Sequence, residues 1–131
     1  MQSEPDAPPE VSLRVPADLA YVATLRATAA AIAARLDFTI EDIDDLKMAV
    51  GEACALVLAG NQAGHLGADF WLGDGSIDIG ISADGPAPDS FPDTEGFAWQ
   101  VLSTLTDSVG AGPAPGDRRA VLLRLSSSAL I

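Results

Sequence analysis

The stretch IDDLKMAVGEACALVLAG, residues 43–60, decides how the rest of this chain is organised. The spacing of its apolar residues predicts one long helix with a broad apolar stripe. The stripe consists of Ile43, Leu46, Val50, Ala53, Val57 and Leu58. Glu52 lies off it, although its neighbours three and four positions away are all apolar. Such a carboxylate is either a surface residue beside small side chains or part of a functional site, and the stretch alone leaves both interpretations open.

Length and composition predict one folded domain. The chain has 131 residues, 48% of them hydrophobic, which suits a single core. Cys54 is the only cysteine, so we expect neither a disulfide within the chain nor a cysteine metal cluster. Residues 1–9 are acidic and proline-rich and lack the apolar core of a secretory signal. We therefore expect a soluble, cytoplasmic protein with a flexible tail over 1–9, one domain over 10–126 and a C-terminal tail over 127–131.

The charge of the chain is strongly acidic and unevenly distributed. Seven Lys and Arg residues face nineteen Asp and Glu residues, giving a net charge of −12, and no basic residue lies between Lys47 and Arg118. Nucleic-acid binding needs a basic face to neutralise phosphates, so we exclude it. The acidic surface favours a basic protein partner, or it only keeps the protein soluble.

The order of secondary structure elements predicted along the chain is β-α-α-β-β-loop-α-β. The strands are expected at 11–15, 68–72, 77–81 and 120–125, the helices at 18–36, 39–60 and 96–109, a long acidic loop at 83–95 and a Gly/Pro turn at 110–117. Asp18 and Thr39 are the expected helix caps, and Asp74-Gly75 is the expected hairpin turn. The fold class is therefore α/β, a two-layer sandwich with helices on one face of a mixed, mostly antiparallel sheet.

Two segments resemble a known protein family. RLDFTIEDIDDLKMAVGEAC, residues 35–54, and GFAWQVLSTLTDSV, residues 96–109, resemble the RsbW/SpoIIAB-like anti-sigma factors, which have the GHKL (Bergerat-type) ATP-binding fold. The resemblance covers about 10–126, and the second segment looks like an actinobacterial sigma-F/sigma-B type branch. It implies a homodimer formed through a sheet edge that sequesters an alternative sigma factor. A STAS-type anti-anti-sigma protein displaces the sigma factor, and active members phosphorylate that protein on serine with Mg-ATP.

The family's catalytic acid and its metal ligand can be compared with this chain. The resemblance places the acid, which is the general base of active kinases, on Glu52. Four residues later, where the family has an asparagine that binds Mg²⁺, this chain has Leu56. The two positions share one helix face, and an isobutyl group offers no oxygen to a hard cation. The acid is therefore expected to lack its metal partner.

The family's glycine motifs are also eroded. The aspartate of Asp-x-Gly-x-Gly, which reads the adenine amino group, falls on Ala83, while the first glycine is kept as Gly85 and the second is Ala87. Asp84 could replace the aspartate only if the register slipped, and strand alternation would point it elsewhere. The later phosphate-binding glycine box is reduced to Gly96. We therefore expect no cofactor and no metal, with ATP binding and kinase activity lost.

The residue that the family uses to bind its protein partners is preserved in this chain. The resemblance places the arginine that contacts both partners on Arg26, although an isolated arginine on an alanine-rich helix is also explained by solubility. Trp71 and Trp99 have the character of core anchors, but Trp99 follows the long loop and is retained as a second partner-binding candidate. Cys54 is expected in the core, and His65 has no nearby His or Cys for a metal site.

Three functions remain open at this point. The first is a non-catalytic anti-sigma factor, and the second is an active serine protein kinase that uses Glu52 as its base. The third is a related module whose partner is neither a sigma factor nor a STAS protein.

Overall fold

The architecture is a five-stranded sheet covered on one face by helices. The computed structural model describes residues 4–59 and 63–129, so the expected helix end at Gly60 and the first part of the loop after it lie outside the described residues. The strands are β1 (Val11–Pro16), β2 (His65–Leu72), β3 (Ser76–Asp84), β4 (Ser108–Ala114) and β5 (Arg118–Ser126). The helices are a 3₁₀ turn (Leu19–Tyr21), α1 (Val22–Ala34), α2 (Ile40–Leu58) and α3 (Phe97–Leu105).

The sheet has the strand order β1-β2-β3-β5-β4, and all four pairings are antiparallel. The expected two-layer α/β sandwich is confirmed, although the sheet is antiparallel throughout and not mixed. The core lies between the helices and the inner sheet face, where the cross-strand row Phe70, Ile79 and Leu123 is fully buried. The predicted alternation therefore holds, because β-strand side chains point to opposite faces in turn.

The C-terminal part of the prediction was wrong in one element. The third helix ends at Leu105, and the segment expected to be helix end and Gly/Pro turn contains the edge strand β4. Its sequence, SVGAGPA, has the glycine and proline content of a turn, and both residue types are disfavoured inside sheets. An edge strand tolerates Pro113, because one side of its backbone needs no ladder partner.

The ends of the long helix α2 explain why the opening stretch organises the fold. Thr39 and Asp42 form the predicted capping box, in which the Thr39 Oγ1 accepts from the Asp42 N–H and the Asp42 carboxylate accepts from the Thr39 N–H, both at 3.1 Å. Asp42 also accepts from the Ser128 N–H at 2.9 Å, which ties the expected C-terminal tail to the helix. Although partial burial opposes its ionisation, these hydrogen bonds hold the pKa of Asp42 below its usual value.

The outer face of the sheet carries no helix in the described part of the chain, but the N-terminal segment lies against it. The Trp71 Nε1–H donates to the Ala7 carbonyl at 2.7 Å, and the Leu72 N–H donates to the Glu10 carboxylate at 3.0 Å. Trp71 is therefore buried on this outer face and not in the core between sheet and helices. Ala7, in the segment expected to be a tail with nothing to bury, thus contacts its indole.

Candidate functional site

Glu52 lies in the middle of α2 and is half-buried. Leu56, one helical turn later, is also half-buried and packs against the hydrophobic core. The position that the family gives to a metal ligand is therefore occupied by a side chain that contributes to core packing. Glu52 has no oxygen ligand beside it at that position.

Ala83 and Asp84, the two candidates for reading the base of a nucleotide, lie on opposite faces of the sheet. Ala83 is fully buried in the core on the helix side. The Asp84 carboxylate lies on the outer face, where it accepts from the His65 N–H at 2.8 Å and forms an ion pair with the Arg118 Nε at 3.3 Å. Strand alternation thus directs Asp84 away from α2, and the structure does not bring it together with Glu52.

The hydrogen bond from His65 is the main reason for a lowered pKa at Asp84. Partial burial opposes this shift, while the positive charges of Arg118 and Arg14 add to it. A lowered pKa in the folded state means that ionised Asp84 stabilises the protein above the unfolded-state pKa, near 3.9. This contribution is lost as the pH falls through the folded-state pKa.

Asp84→Asn should therefore destabilise the protein at neutral pH and much less in acid. We expect a lower Tm at pH 7, because the ion pair with Arg118 is removed, and a difference that shrinks below about pH 4. Thermal unfolding followed by circular dichroism at both pH values measures this. Asp89→Asn, on the exposed loop, is the matched control. An equal loss for Asp84→Asn at pH 7 and in acid would contradict the assignment.

A buried arginine lies directly beside Ala83. Arg119 is the cross-strand partner of Ala83 and is only 3% exposed. Its Nε donates to the Val57 carbonyl in the last turn of α2 at 2.6 Å, and its Nη1 donates to the Asp84 carbonyl at 2.7 Å. The cation is favourably placed, because the end of a helix has unsatisfied carbonyls and partial negative charge. Arg119 thus joins the end of α2 to the end of β3 through hydrogen bonds to both.

The sequence prediction missed Arg119 because it started the last strand at residue 120, two residues after the strand begins at Arg118. The signal was an arginine in phase with the apolar row Val121, Leu123 and Leu125. A basic residue at a core-facing strand position needs buried acceptors, so such a position indicates a structural or functional tie.

The two glycine candidates flank the loop between β3 and α3. Gly85 has φ +106°, a conformation that other residues rarely adopt, and its N–H donates to the Asp117 carbonyl at 2.9 Å. Gly96 is the N-cap residue of α3, and a Cβ there would lie 2.7 Å from the Asp93 Oδ2. The N-terminus of α3 therefore faces a carboxylate of the chain itself, which disfavours a phosphate at the same place.

Arg26 is exposed on α1, and its side chain crosses α2 above Gly51. A Cβ at Gly51 would lie 3.6 Å from the Arg26 Cδ, an ordinary van der Waals distance, so the arginine stem lies against this part of α2. Arg26 and Lys47 line a shallow surface cavity of about 460 Å³ together with three alanines of α1. The structure thus pairs the predicted partner-binding arginine with a second cation. Trp99 is half-buried and belongs to another helix, α3.

The remaining candidate residues are Cys54 and His65. Cys54 is fully buried, and burial raises the pKa of its thiol to about 12 against the opposing charge of Arg26. The His65 Nδ1 lies 3.3 Å from the Arg14 guanidinium. Among residues 4–59 and 63–129, no three His, Cys, Asp or Glu side chains are grouped to hold a metal ion. No helix in these ranges has the length and apolar content to cross a bilayer.

Comparison with known proteins agrees with this fold. Residues 15–123 match the histidine kinase-like ATPase domain family. The serine-protein kinase RsbW of Halalkalibacterium halodurans is 36% identical over 84 residues, which cover 63% of this chain and 52% of that protein. RsbW of Bacillus velezensis is 35% identical over 74 residues, covering 56% and 43%, and RsbW of Bacillus thuringiensis is 30% identical over 79 residues, covering 58% and 49%.

The chain thus spans about half the length of the curated relatives that it matches. The predicted resemblance to RsbW is confirmed, while the assignment to an actinobacterial branch stays a prediction. Because the family match extends over most of the chain and the sheet and helices have the predicted arrangement, this chain belongs to the histidine kinase-like ATPase domain family.

Proposed function

We propose that this protein is a cytoplasmic anti-sigma factor of the RsbW type that binds an alternative sigma factor without using ATP. A STAS-type anti-anti-sigma protein binds the anti-sigma factor in competition with the sigma factor. The sigma factor is then released by mass action. The observation that carries the proposal is a contrast between two surfaces. Arg26 is exposed beside Lys47, whereas Arg119, next to the Ala83 position of a nucleotide site, is hydrogen-bonded within the chain.

Three contacts support the loss of nucleotide binding. Arg119 fills the space beside Ala83 and uses its donors on backbone carbonyls. Leu56 packs into the core at the metal position. The Asp93 carboxylate lies at the N-terminus of α3, where phosphates would need to bind. These residues do not fit Mg-ATP, so we assign no phosphoryl-transfer step to Glu52.

The cavity beneath Arg26 supports protein binding. The exposed guanidinium is suited to bidentate recognition of a carboxylate, and the Lys47 ammonium adds a second positive charge in an otherwise acidic protein. Both groups are carried by packed helices, so they are presented in a fixed arrangement. We therefore expect an acidic side chain of the sigma factor to bind here.

A homodimer formed through a sheet edge is part of the proposal. β1 and β4 are the two edge strands, and an edge strand can extend its ladder to a second chain. Closed two-fold dimers are the commonest oligomers of soluble proteins.

Co-expression with the sigma factors of the same genome tests the function. We expect one of them to co-purify in equal amounts with and without Mg-ATP, and an added STAS protein to displace it. Failure to retain any sigma factor or STAS protein would contradict the assignment.

Calorimetry with Mg-ATP tests the nucleotide part separately. We expect no measurable heat of binding, because Leu56 offers no metal ligand and Arg119 is hydrogen-bonded within the chain. Clear heat together with phosphate transfer that is lost in Glu52→Gln would instead establish the kinase alternative.

A further inference from the structure

A second surface, separate from the cavity at Arg26, exposes large apolar side chains. We call it the α2–α3 groove, and it is lined by Met48, Phe97, Gln100, Val101, Thr104 and Leu105 with a volume of about 330 Å³. Phe97 is 76% exposed and Met48 is 54% exposed. Groups of this size normally lie inside a protein or against a partner, so their exposure side by side needs an explanation.

The apolar residues of the groove form a continuous stripe. Phe97, Val101 and Leu105 follow one another at intervals of four residues along α3, so they share one face of that helix. Leu102, on the other side of α3, is fully buried and already attaches the helix to the core. Leu105 also packs against the core, whereas Phe97 and Val101 are not among the side chains that pack there, so this part of the stripe is additional to the core contacts. Together with Met48 of α2, it has the form of a groove that accepts the apolar face of a third helix.

The rim of the groove is acidic. On α2, Asp44 and Asp45 lie one turn before Met48, and Glu52 lies one turn after it. Asp93 and Glu95 immediately precede α3 and are exposed. Lys47, the one basic residue of α2, lines the separate cavity at Arg26. A partner that buries its apolar residues here would therefore meet negative charge on both sides.

We propose that the α2–α3 groove docks an amphipathic helix of a protein partner whose apolar stripe is flanked by lysines and arginines. Apolar contact supplies the binding energy, and the acidic rim selects basic flanks and speeds association. The acidic rim favours a partner with basic flanks over a second copy of this chain, whose net charge is −12. The groove shares no lining residue with the Arg26 cavity, so this interaction goes beyond the sigma-factor contact proposed above.

A synthetic helical peptide provides the probe. It has 18 residues, about five helical turns, with leucines on one face flanked by lysines, and a matched peptide carries glutamates in place of the lysines. Fluorescence anisotropy should show binding of the lysine peptide and none of the glutamate peptide. Phe97→Ser and Met48→Ser should each weaken binding of the lysine peptide by at least about tenfold, as expected when a central apolar anchor is truncated.

Ile40→Ser is the matched control, because Ile40 is 77% exposed on the same helix as Met48 but does not line the groove. It should leave the affinity unchanged. Circular dichroism confirms that all variants fold. The proposal is overturned if the lysine peptide does not bind, or if Ile40→Ser weakens binding as much as Phe97→Ser. It is also overturned if Phe97→Ser abolishes self-association seen by sedimentation, since the groove would then hold a second copy.

Discussion

Arg119→Met is expected to lower the free energy of unfolding by about 3 kcal/mol, the largest stability effect that we predict. The substitution keeps much of the aliphatic volume but removes the donors that reach the Val57, Asp84 and Gly85 carbonyls. Each of these buried acceptors is then left without its cationic partner, and the end of α2 loses the positive charge beside it. The loss far exceeds that of a typical exposed ion pair.

Urea unfolding of the two neighbouring arginine variants measures this effect. Arg118→Met is the control, because Arg118 lies on the opposite face of the same strand, is partly exposed and pairs with Asp84. The Arg118→Met substitution should lower the free energy of unfolding by about 1 kcal/mol or less, in the range of surface ion pairs. Equal destabilisation by the two variants would show that the buried hydrogen bonds of Arg119 stabilise the fold no more than the surface ion pair of Arg118 does. Arg119→Lys should fall between, since an ammonium lacks the planar fork of the guanidinium.

Arg26→Glu is expected to weaken binding of the sigma factor that we propose as the partner by at least about 100-fold. Truncating one member of a buried charge pair costs about 2–5 kcal/mol, and reversal adds repulsion with the partner carboxylate. The effect should appear mainly as faster dissociation. Surface plasmon resonance with the captured sigma factor would separate the two rates.

Arg35→Glu provides the control for this measurement. Arg35 is the C-cap residue of α1 and is exposed, so both variants change the net charge of the same helix region by the same amount. Long-range electrostatic effects therefore cancel in the comparison. Equal weakening by both variants would mean that net charge, and not a contact of Arg26, determines the affinity.

The strength of local signals explains which parts of the fold were predictable. The apolar stripe and capping box of α2 and the Asp74-Gly75 hairpin each depend on residues close in sequence. Asp18 is also a cap, although it caps the 3₁₀ turn that precedes α1 and not the helix predicted over 18–36. The strand Ser76–Asp84 was recognised because its isoleucines alternate. In all of these, propensity and burial favour the same structure.

The parts that were missed depend on contacts between distant residues. β4 forms because its backbone pairs with β5, which overrides the turn character of its glycines and proline. Arg119 meets the end of α2 across 62 residues of sequence, so no local pattern reveals its acceptors. For the candidate site, alternation correctly pointed Asp84 away from α2, but its partners Arg118 and His65 could not be read from the sequence.

The hydrogen bonds of Arg119 also determine what the junction between α2 and β3 depends on. A bound ligand holds two elements together only in the molecules that it occupies, and that fraction depends on its concentration. A guanidinium that is part of the chain cannot dissociate or be hydrolysed, and it is present once in every molecule. The junction that Arg119 makes between α2 and β3 therefore needs no bound ligand.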